Sequence, residues 1–185
     1  MEGASLWANF RLSQVMPSKD SFFIRATKDV GNTNTYHEKE IDLGAYIQAS
    51  SGSILRILGV QVAHTDNNGG STELAGNEAG VVSWQLLTQS QSSLVLPSNK
   101  AVVASGQLNA FNDQGTQKVP SWVGESKDIN PSDFHNGYLI ATESLYLGGS
   151  ATTTWAGDQY VSVTLECVLE KMDKNKAMAL ALSQQ

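Results

Sequence analysis

The segment from Tyr160 to Glu170 constrains the fold more than any other part of the sequence. Its apolar side chains recur at every second position, and Ser162, Thr164 and Glu166 stand between them, with Val168 as the exception. This alternation is typical of a β-strand that has one face toward a core and the other toward solvent. The apolar face comprises Val161, Val163, Leu165, Cys167 and Leu169. The segment therefore predicts one wall of a sandwich or barrel.

Further strand patterns follow one another along the chain, separated by residues that favour turns. The longest is Ser53 to Thr65, where the apolar positions change parity at Leu58-Gly59 and predict a β-bulge or a passage between sheets. Other predicted strands lie at 22–27, 35–43, 80–88, 93–97, 101–111 and 137–147, whereas 112–136 and 148–157 are predicted to be irregular. About eight strands at this spacing predict an all-β fold, a single jelly-roll sandwich or barrel.

The chain of 185 residues is predicted to form one jelly-roll domain, with an N-terminal segment at 1–20 and a C-terminal docking tail at 172–185. The tail is rich in helix-forming residues and offers Asp173 as an N-cap. A helix of about ten residues is only marginally stable alone in water. We therefore expect its shared face, Met178, Ala181 and Leu182, to dock on its own barrel, on a neighbouring subunit or on a membrane surface.

Charge and composition argue against several classes of protein. Twelve basic and 18 acidic residues give a net charge of −6, and the first ten residues contain no Lys or Arg. Direct binding to nucleic acid needs clustered basic residues, so we do not expect it. The sequence has no apolar run of about 20 residues and no signal-peptide pattern at its start. We expect the chain to stay where it is made, or to leave by a route other than secretion.

Histidine and cysteine patterns do not indicate catalysis or a metal site. His37, His64 and His135 are far apart in the sequence and form none of the paired motifs that bind zinc. Cys167 lies inside a predicted strand, away from the loops and helix starts where nucleophiles are activated. The sequence also lacks phosphate-binding and dinucleotide-binding motifs. We expect neither an enzyme nor a cofactor.

Acidic residues offer two weaker candidates for a site. Glu38, Glu40 and Asp42 alternate along one strand face, as in the wall of a glycosidase, but a solvated edge or a subunit contact is the simpler explanation. The loop from Asp66 to Gly70 departs from the EF-hand pattern, because Asn77 stands where the pattern has Glu. A hairpin turn is the better prediction for this loop.

The single cysteine, Cys167, allows two interpretations. A small buried apolar side chain is the simpler one, because the residue belongs to the apolar face of its strand. An odd cysteine is otherwise able to form a disulfide only with another chain, which would suit an assembly. The sequence leaves both interpretations open.

Two tryptophans in loop-like surroundings, Trp122 and Trp155, are candidates for a ligand or interface site. Exposed aromatic rings of this kind stack on sugars in β-sandwich lectins. Aromatic residues that close the ends of a barrel or fill a subunit interface are the favoured alternative.

Two stretches resemble a known family of viral proteins. KEIDLGAYIQASSGSILRILGVQVAHTDNNGG (Lys39 to Gly70) and the chain from Gly137 to the final EKMDKNKAMALALSQQ are similar to the single, vertical jelly-roll major capsid proteins of membrane-containing icosahedral archaeal viruses. Within that family the sphaerolipovirus type, and the smaller of its two capsid proteins, is the most similar.

The resemblance implies a role in a virion. Upright barrels of two related capsid proteins would form an icosahedral shell around an internal lipid membrane that encloses double-stranded DNA. The membrane would then separate this protein from the genome, and assembly would occur in the host cytoplasm. The main alternative is a lectin-like or receptor-binding module of a viral spike or fibre, and a hydrolase built on a β-sandwich is the third hypothesis.

Overall fold

The computed structural model describes residues 20–185, so all of the predicted N-terminal segment except Asp20 lies outside the described residues. The described chain contains nine strands and one α-helix. The strands are β1 (Phe22–Gly31), β2 (His37–Asp42), β3 (Ser53–Thr65), β4 (Glu78–Leu87), β5 (Val102–Asn112), β6 (Trp122–Ile129), β7 (Tyr138–Ile140), β8 (Ser144–Ala151) and β9 (Gln159–Lys171). The helix is α1 (Lys174–Ser183), and short 3₁₀ turns lie at Ala49–Ser51 and Pro131–Asp133.

The strands form two antiparallel sheets with jelly-roll topology. The first sheet has the order β1-β9-β3-β7, and the second has the order β2-β8-β4-β5-β6. The chain passes from one sheet to the other at every connection except the two that join β4, β5 and β6. Without β6, the two sheets have the strand order of two Greek keys wound into a jelly roll. The all-β fold class, the jelly roll and the short C-terminal helix are confirmed.

The two best sequence patterns are confirmed as strands. β3 has the predicted bounds, and its register against β9 shifts between Ile57 and Gly59, where the change of parity predicts a bulge. In β9, Val161 to Cys167 alternate into the core as predicted. The alternation fails at Leu169, which is 45% exposed, because β1 begins opposite Cys167 and leaves the end of β9 uncovered on that side.

Four predictions of strands and loops are wrong. Residues 93–97 form a loop, not a strand, and the section predicted as irregular contains β6. The single strand predicted at 137–147 is two strands, β7 and β8, which lie in different sheets. Strand β8 also continues through Gly148, which was expected to lie in a loop; a Cβ there would lie 1.9 Å from the Tyr36 hydroxyl, so only glycine fits.

The space between the sheets is filled by one apolar core. Trp84 is its largest fully buried side chain, and aliphatic residues from both sheets pack around it. Leu55, Val60, Val103, Leu147 and Leu165 are among the residues with no exposed surface. Dispersion and the hydrophobic effect from this interior are the main forces that hold the two sheets together.

Buried amide side chains complete hydrogen bonding where strands lack a neighbour. Asn130 accepts from the Val60 N–H at 3.2 Å and donates to the Val60 carbonyl at 2.9 Å. Strand β7 pairs with β3 only along Leu55–Ile57, so Asn130 takes the place of a strand beyond that point. Gln85 makes the same pair of hydrogen bonds to Val95 in the 93–97 loop: it accepts from the Val95 N–H and donates to the Val95 carbonyl. Each amide satisfies backbone groups that would be costly to bury unpaired.

Candidate interaction surfaces

The carboxylates of β2 serve structural contacts. Glu38 accepts hydrogen bonds from the Tyr36 hydroxyl at 2.9 Å, the Ser90 hydroxyl at 2.6 Å and the Gln91 N–H at 3.0 Å. Glu40 accepts from the Ser144 hydroxyl of the adjacent strand. Burial and the neighbouring Glu38 raise the pKa of Tyr36, so this phenol stays a donor at neutral pH. Glu38 therefore ties a loop to the edge of the second sheet.

Histidine and carboxylate groups do not come together as a metal site. Within residues 20–185, no three His, Cys, Asp or Glu side chains are placed to hold a metal ion. In the loop from Asp66 to Gly70, the Asp66 carboxylate accepts from the N–H groups of Asn68 and Gly70 at 2.8 and 2.7 Å. The predicted turn is confirmed, but it connects strands of different sheets and is not a hairpin.

Burial of the His64 imidazole shifts its titration. Its side chain is 4% exposed, its Nδ1 lies 3.3 Å from Glu125 Oε1, and its Nε2 is buried without a partner among the described residues. Burial lowers the pKa of His64 below its ordinary value of 6.5, and the carboxylate of Glu125 only partly opposes this. The fold therefore favours neutral His64.

We expect His64 to make stability depend on pH. The unfolded chain takes up a proton at this residue below about pH 6.5, whereas the folded chain resists it, so stability is complete above that pH and falls as the pH drops toward the folded pKa. Thermal unfolding measured from about pH 7.5 to 5 should show a steeper loss of Tm for the wild type than for His64→Gln. His135→Gln, at an exposed position, is the matched control. Equal slopes for the wild type and His64→Gln would contradict this assignment.

The two candidate tryptophans occupy different environments. Trp122 is 57% exposed on edge strand β6, and its ring lies over Gly124. Trp155 is 3% exposed, and its indole N–H donates to the Val81 carbonyl at 3.2 Å. This corrects the expectation that both rings are available to a ligand, because Trp155 closes the core. A ligand or interface role remains a prediction for Trp122 alone.

Cys167 is fully buried among the apolar residues between the sheets. Burial, with a smaller effect of the Glu166 charge, raises the pKa of its thiol to about 12. The thiol is therefore protonated at neutral pH and does not reach the surface of the folded chain. This location is that of a small core side chain and does not present sulfur to another subunit.

The C-terminal tail docks on its own barrel, through a face that differs from the predicted one. Asp173 is the N-cap of α1, as predicted, and accepts from the N–H groups of Asn175 and Lys176. Ala177 is fully buried, and Leu180 and Ala181 pack beside it against a small cluster that includes Ile54, Leu139 and Ala141. Met178 and Leu182 are 50% and 68% exposed, so only Ala181 of the predicted docking residues faces the barrel.

Gln184, just after α1, fastens this tail to the edge of the first sheet. Its Oε1 accepts from the Ala141 N–H at 3.0 Å, and its Nε2 donates to the Leu139 carbonyl at 2.7 Å. Sequence patterns give no sign of this contact, since a glutamine near a chain end is an ordinary surface residue. None of the described helices is long and apolar enough to cross a membrane.

Exposed apolar side chains gather beside β6 at the edge of the second sheet. Phe111 lies directly opposite Trp122 in the β5–β6 pairing, and Val123 follows on the other face. All three are about half exposed or more, as is Val119 in the preceding loop. Phe111 and Val123 were not predicted as surface residues, because nothing in the local sequence pattern distinguishes an exposed apolar strand residue from a buried one.

Comparison with known proteins gives a weak structural similarity and no sequence family. No protein-family model and no curated protein matches the chain. Trichodysplasia spinulosa-associated polyomavirus VP1, solved in complex with GM1 oligosaccharide, aligns with a TM-score of 0.45 and 10% identity over 85% of this chain and 97% of that one. The Merkel cell polyomavirus VP1 unassembled pentamer aligns with a TM-score of 0.35 and 7% identity over 85% and 98% of the two chains. Similarity at these values carries no information on function.

Proposed function

We propose that this chain is a structural capsid protein that assembles with further copies of itself. One observation carries the proposal: a jelly roll with a packed interior still has large apolar residues exposed on several strands, on α1 and in loops. Jelly rolls occur in viral capsids, lectins and cupins. Within the described residues, no group of His, Cys, Asp or Glu side chains is placed to hold a metal ion for an enzyme of the cupin type. Contacts between subunits are the use that best fits this distribution of apolar surface.

The finer proposal follows the family that the sequence resembles. The chain would stand upright in an icosahedral shell around an internal membrane, together with a second, related capsid protein, and would be found in the virion. The net charge of −6 fits a protein that does not touch the genome. Met178 and Leu182 are the part of the tail that faces outward toward another subunit or lipid.

Electron microscopy of particles from the native source, with mass spectrometry of their proteins, tests this function. We expect the chain to be an abundant component of a regular icosahedral particle, accompanied by a second capsid protein and by lipid. Detergent or chloroform treatment should disrupt the particle if a membrane lies beneath the shell. An abundance limited to a few copies per particle, or a location at fibres only, would overturn the shell role.

A receptor-binding module of a spike or fibre is the second candidate, and the exposed Trp122 beside Phe111 is the observation that favours it. Aromatic faces of this kind stack on sugar rings. A glycan array probed with the full chain and with Trp122→Ala tests it. Binding that the substitution abolishes would support this function, whereas no binding by the wild type would remove it.

A further inference from the structure

Strand β6 leaves one side of its backbone open. It pairs with β5 along one edge, and along the other edge it makes no hydrogen bond to any element within residues 20–185. Its side chains are exposed on both faces, apart from partial burial of Gly124 and Ile129. A strand with unpaired N–H and C=O groups is a template for pairing with another strand.

The charges on β6 are complementary to those of a second β6 run in the opposite direction. When two copies are related by a twofold axis through Ser126, Glu125 of each copy faces Lys127 of the other. Moving the axis by one residue to Glu125 would place two glutamates opposite each other. Opposite charges facing across strands stabilise pairing, and like charges oppose it. Only the register centred on Ser126 pairs both charges favourably.

We propose that a second copy of this chain binds here, through antiparallel pairing of β6 with β6. Since the twofold axis is perpendicular to the sheet, each residue keeps its face, and the five-stranded sheets of the two copies become continuous. The β5–β6 register shifts between Lys127 and Ile129, which ends regular pairing there and limits the new ladder to Gly124–Asp128. Trp122 and Val123 lie just outside this ladder and contribute exposed apolar surface beside it.

Both charged residues are free to make this contact. The Lys127 side chain is exposed and makes no hydrogen bond or ion pair with a described residue. Glu125 is 51% exposed and uses one carboxylate oxygen for His64, which leaves the other oxygen for a partner. A ladder this short gives a weak contact that gains strength when many copies assemble. The inference deepens the proposed function and rests on it only in requiring that copies of the chain meet.

Sedimentation equilibrium of the full chain at low salt, with a charge-swap set of variants, tests the contact. We expect a reversible dimer for the wild type, and a dissociation constant about tenfold higher or more for Glu125→Lys and for Lys127→Glu, because each change sets like charges opposite each other. An equimolar mixture of the two single variants should associate again, since each strand then offers the charge that the other needs. The double variant Glu125→Lys/Lys127→Glu should also associate.

Restoration in the mixture is the decisive result, because general damage to the fold would not produce it. Thermal unfolding of each variant checks the fold, and Lys127→Glu should retain the wild-type Tm because the exposed Lys127 side chain makes no hydrogen bond or ion pair with a described residue. A monomeric wild type, single variants that associate like the wild type, or a mixture that stays monomeric would each overturn the contact. Electron microscopy of particles tests the capsid role separately. The capsid role and the β6–β6 contact are therefore tested by independent experiments.

Discussion

Asn130→Ala is expected to lower the free energy of unfolding by about 3 kcal/mol, a large effect for one polar side chain. The substitution leaves the N–H and carbonyl of Val60 without partners, and Val60 has no exposed surface. It also removes the acceptor for the Ser132 N–H and hydroxyl, which shape the turn after β6. Urea unfolding followed by circular dichroism measures the change.

Two further variants separate lost hydrogen bonds from lost volume at this position. Asn130→Asp preserves the shape but cannot donate to the Val60 carbonyl and places a carboxylate in a buried site, so we expect it to be at least as destabilising at pH 7. Asn67→Ala is the matched control, because Asn67 is exposed and its side chain makes no hydrogen bond with a described residue; it should stay within about 0.5 kcal/mol. If Asn130→Ala were as stable as this control, Asn130 would not replace a strand partner.

The two strands whose sequence patterns were clearest, β3 and β9, have one buried face along most of their length. In Ser53–Thr65 the buried residues are all apolar. The bulge shows as a change of the positions buried between the sheets, from the odd numbers of Leu55 and Ile57 to the even number of Val60. In strand β9 the buried residues from Val161 to Cys167 are likewise all apolar. Period-two patterns arise from the contrast between a core face and a solvent face, so they locate strands only where that contrast exists.

The missed elements lack that contrast or depend on distant side chains. Strand β6 is exposed on both faces, so its sequence does not alternate. The apolar run Leu94–Leu96 looks like a strand, but Val95 is hydrogen bonded to the Gln85 side chain and not to a neighbouring strand. In 137–147, the buried positions change parity between Ile140 and Leu145, because the chain changes sheets there. These three features depend on tertiary contacts, which a local sequence pattern does not reveal.

The candidate site was predictable only in part, for the same reason. The tail and its N-cap were found because capping and helix propensity are local. Its docking face was not, because a shared helix face, such as that of Met178, Ala181 and Leu182, does not show where the barrel offers apolar surface. The barrel offers a cluster that includes Ile54 and Ala141, and Ala177, Leu180 and Ala181 pack against it. The surface of the barrel, which is a tertiary feature, therefore selects the face.

Ending the chain at Met172 is expected to lower the free energy of unfolding by about 4 kcal/mol and to cause aggregation that rises with protein concentration. The truncation exposes Ile54 and Ala141 and removes Gln184 from the backbone of β7. The edge of β7, a terminal strand of the first sheet, is then left uncovered. Thermal unfolding and light scattering over a range of concentrations measure the two effects.

Point substitutions then show whether this loss of stability comes from the hydrogen bonds of Gln184 or from the exposed surface of α1. Gln184→Ala should cost about 2 kcal/mol, because it leaves the Ala141 N–H and the Leu139 carbonyl without their partner. Leu182→Ala, in the same helix and exposed, should change stability by less than about 0.5 kcal/mol. The reverse order of these two effects would mean that α1 docks through its other face. The expected order would show that the tail stabilises the barrel by closing the edge of β7.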